Sequence, residues 1–272
     1  MPELPEVETV VRELRPQLVG RQFADASIDW PRTLATPDPT ELADRLAGRR
    51  VVEVGRRGKY ILILLDSGDT LIVHLRMTGH LTVVSQADPA GQNGHVRARF
   101  DLADGDRLVF TDMRKFGRIW LVSDASTVIG KLGPEPLGWD FTPEELAARL
   151  RGRRTAIKAL LLDQTVVAGV GNIYADEALF RAGIHPLRNG ASLTDDEVAA
   201  LHAALRAVLN ESIDKNGTLL RDYRTPYGTE GAFYQQLRVY QRTGQPCPRC
   251  GAPIERIRVT QRSTHFCPRC QR

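Results

Sequence analysis

Four cysteines constrain this chain more than any other feature. They are its only ones, and all fall in the last 26 residues, at Cys247, Cys250, Cys267 and Cys270, as C-x2-C-x16-C-x2-C. Two pairs of thiolates, each pair spaced by two residues, suit a tetrahedral zinc ion. Two disulfides are the alternative. The N-terminus shows no basic region followed by an apolar one, so no secretion signal is read, and a cytoplasmic setting disfavours disulfides. Each Cys-Pro-Arg-Cys pair reads as a tight knuckle, and the 16 residues between the pairs can form a β-hairpin. So short a segment cannot fold on an apolar core alone, so the metal supplies its folding energy. His265 lies within the hairpin. With four thiols at hand it reads as a packing or surface residue.

Charge is distributed unevenly. Residues 221–272 hold ten arginines, no lysine and three acids (Asp222, Glu230, Glu255), a net of +7 that leaves residues 1–220 at −3. A basic end on a slightly acidic body points to a polyanion partner, and arginine is the residue suited to bidentate phosphate contacts. The chain's 272 residues are enough for two domains with their own cores. No apolar run approaches the ~18 residues of a membrane span.

The pattern along the chain is α+β. Residues 3–19 read as a helix from Val7, Val10, Val11, Leu14 and Leu18, ended by Gly20. A short helix fits 40–46. Strand signals follow at 51–54, 59–65, 70–75, 97–102, 107–111 and 119–122, with Asp104-Gly105-Asp106 marking a hairpin. The first part is thus expected to be a β-sandwich with a long N-terminal helix. A Pro- and Gly-rich linker, 133–142, leads to a helical half. Thr142 and Thr194 open capping boxes, and further helices fit 155–163 and 173–182 around a Gly169-Val170-Gly171 turn. That turn offers backbone N–H groups and Asn172 at a helix start, an anion site or an ordinary turn with Asn172 as its N-cap.

The other end of the chain carries chemistry. Pro2 is small, so removal of Met1 is expected. A terminal proline is a secondary amine whose pKa, about 7.7–8.0 against about 10.4 for lysine, leaves it partly unprotonated at neutral pH. Attack on a sugar C1′ would give an iminium, the Schiff-base route to covalent catalysis. Glu3 follows directly, and Glu6 lies one helical turn on. The ordinary reading is a helix with acids in its first turn. Met77, Arg114 and Phe116 sit at strand ends or loops, where apolar wedges beside basic residues suit DNA unstacking. Lys59 is a candidate phosphate contact.

These residues resemble the formamidopyrimidine-DNA glycosylase/endonuclease VIII family along the whole chain. The likeness is carried by PELPEVE, RRGKY, HLRMTG, TDMRKFGR, LGPEPL, TAIKALLLDQTVVAGVGNIYADEALFRAGIHP and QRSTHFCPRCQ. It implies a bifunctional base-excision repair enzyme of the purine-specific branch, which excises 8-oxoguanine and formamidopyrimidines from duplex DNA and cuts the strand by β- and δ-elimination. It implies Pro2 as Schiff-base nucleophile, Glu3 as general acid/base and Glu6 as an assisting residue. Lys59 and Arg262 would be proton donors and phosphate contacts. Asn172, His74 and Lys158 would contact phosphates, and His95 and Tyr240 are carried over as further DNA-binding positions. Met77, Arg114 and Phe116 would fill the space of the extruded base. Arg221 would lie in the lesion-recognition loop 216–227.

The implied layout is an N-terminal catalytic sandwich (1–132), the linker, a helix-two-turn-helix domain (143–243) and a zinc-finger hairpin (244–272). The implied cofactor is one structural Zn(2+). The implied partner is double-stranded DNA with oxidised purines or abasic sites, with no membrane, no small-molecule cofactor and a monomeric state. An endonuclease VIII-like pyrimidine glycosylase and a non-catalytic zinc-dependent DNA-binding protein are the competing readings.

Overall fold

A computed structural model describes residues 1–85, 94–218 and 231–272 of the chain. Contacts group them into two compact units. Met1–Pro2 and Glu6–Lys131 belong to the first, and Glu3–Pro5, Leu132–Thr218 and Ala232–Arg272 to the second.

In the first unit, α1 (Leu4–Leu18) buries the stripe Val7, Val10, Val11, Leu14 and Leu18, the spacing a helix needs to keep one face dry. Gly20, at φ 87°, ends it. The strands are β1 (Phe23–Ile28), β2 (Leu34–Thr36), β3 (Val51–Arg57), β4 (Tyr60–Leu65), β5 (Thr70–His74), β6 (Gly79–Val84), β7 (Val96–Leu102), β8 (Arg107–Asp112) and β9 (Arg118–Val122). A short helix α2 (Pro39–Leu46) is capped by Asp38, whose carboxylate accepts the Thr40 and Glu41 N–H groups. The order β1-β7-β8-β6 makes one sheet and β2-β9-β5-β4-β3 the other. Inward residues such as Ile61, Ile63, Phe100 and Phe110 join the α1 stripe in one buried cluster.

Three of these strands escape the sequence pattern. β1 alternates too weakly, with Ala26 and the exposed Asp25 inside it. β2 has three residues and pairs in parallel with β9. β6 begins inside a stretch that reads as a loop, because its first residue is Gly79.

The second unit carries α4 (Pro143–Leu150), α5 (Ile157–Leu162), α6 (Asn172–Ala182) and α7 (Asp195–Asp214), after a single-turn α3 (Ser126–Ile129) that closes the first unit. The Thr194 capping box forms in full, with Glu197 returning a bond to the Thr194 N–H. Residues 133–142 are irregular yet tethered within this unit. The Arg206 guanidinium donates to the Pro136 and Gly138 carbonyls. Strands β10 (Glu255–Val259) and β11 (Arg262–Phe266) pair as an antiparallel hairpin. Its turn residues, Thr260 and Gln261, both have positive φ, the tight geometry that matches strand twist. Among the described residues, no helix is long and apolar enough to cross a membrane.

Candidate active site

Around Glu3, the second unit explains the Gly169-Val170-Gly171 turn. Glu3 Oε1 accepts the Ile173 N–H at 3.1 Å, at the start of α6, and the Leu4 N–H donates to the Gly169 carbonyl at 3.0 Å. A side chain at Gly171 would put its Cβ 2.3 Å from Glu3 Cδ, and one at Gly169, where φ is +83°, would strike Leu4. The anion expected at this helix N-terminus is therefore the chain's own Glu3 carboxylate. Gly171, not Asn172, is the N-cap. Asn172 is the first helical residue, and its side-chain amide donates to the Ser263 carbonyl at 3.0 Å. Glu3 is buried, as are Pro2 and Glu6 of the first unit, while Met1 stays exposed.

A correction falls on Lys158. It has no exposed surface with which to meet a phosphate. Its ammonium lies 2.6 Å from Asp176 Oδ1 and donates to Thr264 Oγ1 (2.8 Å) and the Ser263 carbonyl (3.0 Å). Burial lowers the Lys158 pKa, opposed by the Asp176 charge. Asp176 Oδ2 accepts the His265 N–H at 2.9 Å and stands 3.1 Å from His265 Nδ1. Lys158, Asp176 and His265 thus clasp β11 to α5 and α6, and they hold the exposed Arg262 two residues from Thr264. The sequence offered no signal for Asp176. Tyr240 packs edge-on against His265, and burial raises its phenol pKa. Glu177 is also buried, and its carboxylate accepts the N–H groups of Arg238, Val239 and Tyr240. It fixes the segment that leads into the hairpin.

The four cysteines converge, all sulfurs lying within 4.8 Å of one another. A tetrahedral zinc with Zn–S bonds of about 2.3 Å needs sulfur pairs about 3.8 Å apart. Cys247–Cys270 at 3.9 Å and Cys250–Cys267 at 3.5 Å fit that shape. None is in a disulfide. The Arg249 and Cys270 N–H groups point to the sulfurs of Cys247 and Cys267, as knuckle turns require to support thiolates. The four side chains hold one structural zinc ion. His265 belongs to the Asp176 clasp and not to the metal.

In the first unit, Lys59 is buried at the β3–β4 turn. His74 ends β5. Its Nδ1 accepts the Arg76 N–H at 3.0 Å, so a neutral ring carries its proton on Nε2. Burial, reinforced by Arg76 and Lys59, pushes the His74 pKa down to about 3. In that state the ring carries no charge. Met77 is 37% exposed in the β5–β6 turn, and Phe116 is 51% exposed after β8. The Arg114 guanidinium lies 5.1 Å from the centre of the Phe116 ring. His95 is exposed just ahead of β7. Arg221 lies outside the described residues.

Comparison with known proteins adds to this geometry. Family models match the formamidopyrimidine-DNA glycosylase N-terminal domain over residues 1–119, the formamidopyrimidine-DNA glycosylase H2TH domain over 132–223, and a zinc finger found in FPG and IleRS over 244–272. A formamidopyrimidine-DNA glycosylase of Chloroflexus aggregans is 55% identical over 93% of this chain and 92% of its own length. That of Herpetosiphon aurantiacus is 54% identical over 93% of each. A Lactococcus lactis enzyme in complex with abasic-site DNA superposes with a TM-score of 0.91 at 37% identity, covering 99% of both chains. A structure of MutM with DNA containing carbocyclic 8-oxo-G gives 0.91 at 36%, covering 100% of both. Taken with the Glu3 cradle and the four-thiolate hairpin, these matches make the chain a member of the formamidopyrimidine-DNA glycosylase family.

Proposed function

We propose that this glycosylase removes oxidised purines from duplex DNA through Pro2, once Met1 has been cleaved. With Met1 attached, the Pro2 nitrogen is a tertiary amide and cannot attack. Freed, its lone pair adds to C1′ of the damaged nucleotide as the N-glycosidic bond breaks and the base leaves. Glu3 protonates the sugar ring oxygen as the ring opens to the iminium. Loss of a C2′ proton then expels the 3′ phosphate, and a second elimination expels the 5′ phosphate. Lys59 and Arg262 serve as proton donors and phosphate contacts, with Glu6 assisting. Asn172, His74, His95 and Tyr240 line the DNA path, and Arg221 belongs to the loop that meets the lesion. Met77, Arg114 and Phe116 occupy the gap left by the flipped base, with Arg114 facing the orphaned cytosine. The zinc ion shapes the hairpin that presents Arg262 and takes no part in bond breaking. The enzyme works in the cytoplasm, on the nucleoid when bound to DNA.

The observation that carries this reading is the buried Glu3 carboxylate, which follows Pro2 in the chain, accepts the Ile173 N–H at the start of α6 and fills the space that Gly171 leaves open. Borohydride tests it. A covalent adduct should form with duplex DNA containing 8-oxoguanine opposite cytosine, and Pro2→Gly should abolish it. Absence of an adduct, or one indifferent to Pro2→Gly, would leave a binding protein. Stronger trapping on thymine glycol would move the chain to pyrimidine lesions.

A further inference from the structure

Asp112, the last residue of β8, has no solvent exposure, and its carboxylate accepts four hydrogen bonds from two different loops. Oδ2 receives the Phe116 and Gly117 N–H groups, each at 2.7 Å. Oδ1 receives the Arg114 N–H at 3.1 Å and the Thr78 hydroxyl at 2.5 Å. Thr78 Oγ1 in turn accepts the same Arg114 N–H at 3.1 Å. Thr78 follows Met77 in the β5–β6 turn. Arg114 and Phe116 lie in the β8–β9 connection. One carboxylate therefore holds the roots of both wedge-bearing loops.

A second contact joins the same loops. Gly79 pairs with Asp112 across β6 and β8. A Cβ at Gly79 would sit 2.9 Å from Phe110 Cε2 and Cζ, and one at Gly117 would sit 2.3 Å from Phe110 Cζ. Both loops close on the tip of one core ring. Their other backbone features are costly for ordinary residues. Arg76 (φ 56°) and Lys115 (φ 60°) are left-handed, and the Lys115 ammonium rests 4.1 Å from the centre of the Trp30 ring. The tips, by contrast, are exposed and touch little of the core. A buried carboxylate accepting main-chain N–H groups is a strong, directional anchor. Here it spans two loops whose tips carry the side chains that must enter DNA together.

We infer that Asp112 is a positioning residue that couples the Met77 loop to the Arg114–Phe116 loop, so that the three wedges act on duplex DNA as one rigid device. The inference rests on the proposed gap-filling role of those three side chains. Asp112 touches neither the sugar nor the base. Replacing one carboxylate oxygen with an amide sets an NH2 group against N–H donors and releases one loop from the other. The wedges are then misplaced at the moment the base leaves the stack, while the Pro2 chemistry is untouched.

The test compares duplex and single-stranded substrates. Asp112→Asn should lower excision of 8-oxoguanine from duplex DNA by between about tenfold and about a hundredfold. Borohydride trapping on a single-stranded abasic oligonucleotide, which has no gap to fill, should change less than about twofold. Thr78→Val, which keeps the shape but removes the bridging hydroxyl, should act in the same direction, and Thr78→Ser should restore the native rate. Combined with the triple variant Met77→Ala/Arg114→Ala/Phe116→Ala, Asp112→Asn should add almost nothing, since both remove one device. Additive losses, equal losses on single strands, or a Thr78→Ser as slow as Thr78→Val would each overturn the coupling. If the triple variant alone excises from duplex DNA at the native rate, the gap-filling role fails instead.

Discussion

In the first unit, burial is spread over α1 and both sheets, and no single residue decides whether the core forms. The zinc hairpin contributes only Cys247, Ala252, Ile254 and Cys267 to its buried cluster, which Phe180 of α6 and Val239 complete, and two of those four are metal ligands. The sandwich can hold loops with left-handed residues and exposed wedges because its apolar area is large. The hairpin has left-handed turn residues too, at Thr260 and Gln261, but little apolar area of its own, and it is tied at two points, the four thiolates and the Lys158–Asp176–His265 clasp. Distributed stability tolerates substitution, whereas concentrated stability does not.

The sharpest way to break that contrast is to take the metal away. Chelation, or Cys247→Ser, should unfold the hairpin, a loss on the order of 10 kcal/mol of metal-linked folding energy. DNA affinity should collapse while the sandwich stays folded. Amide exchange resolved by residue would show both, and protection retained in β10 and β11 without metal would count against the contrast.

Next in size is the clasp. Lys158→Met leaves Asp176 charged and buried among groups that cannot replace the ammonium, at a cost of about 3–5 kcal/mol. Lys158→Met/Asp176→Leu should recover part of it. The readout is thermal unfolding together with hairpin amide protection. A loss confined to the sandwich would show that the clasp serves another purpose.

The sandwich has an acid weak point of its own. Because the folded His74 pKa lies near 3, below the ordinary 6.5, the unfolded chain takes up the proton first as the solution is acidified. Stability is full above about pH 6.5 and declines toward pH 3, by about 1.4 kcal/mol per pH unit. Urea unfolding at pH 7 and pH 5 should show the slope in the native chain and a weaker one in His74→Gln. Equal slopes would mean that the ring is already charged in the fold.

The smallest effect is expected in the core of the sandwich. Ile61→Val, a buried residue of β4, should cost only about 0.5–1.5 kcal/mol, with zinc affinity unchanged. A larger loss would mean that the sandwich also depends on single positions.

Much of this was legible in the residues themselves. Helices α1, α4 and α7 follow from apolar spacing and caps, and the zinc knuckles from cysteine spacing. Pro2 and Glu3 stand out because a terminal proline next to an acid is chemically unusual. Lys158 misled, because a lysine read alone is a surface cation, and only Asp176 and Thr264, distant in sequence, make its burial tolerable. Asn172 misled less: an asparagine at a helix start is a good cap, but a glycine already occupied that place.

Periodicity, short spacings and intrinsic pKa made most of the helices and strands, the metal site and the candidate reactive groups readable from the residues alone, though not β1, β2 or β6. The folded chain alone shows that Glu3 fills the N-terminus of α6, that Lys158 is structural, and that Asp112 gathers two loops. Each of those outcomes rests on one buried charged group that meets at least one partner distant in the chain, and the energy of such a meeting exists only once the fold has excluded water from it.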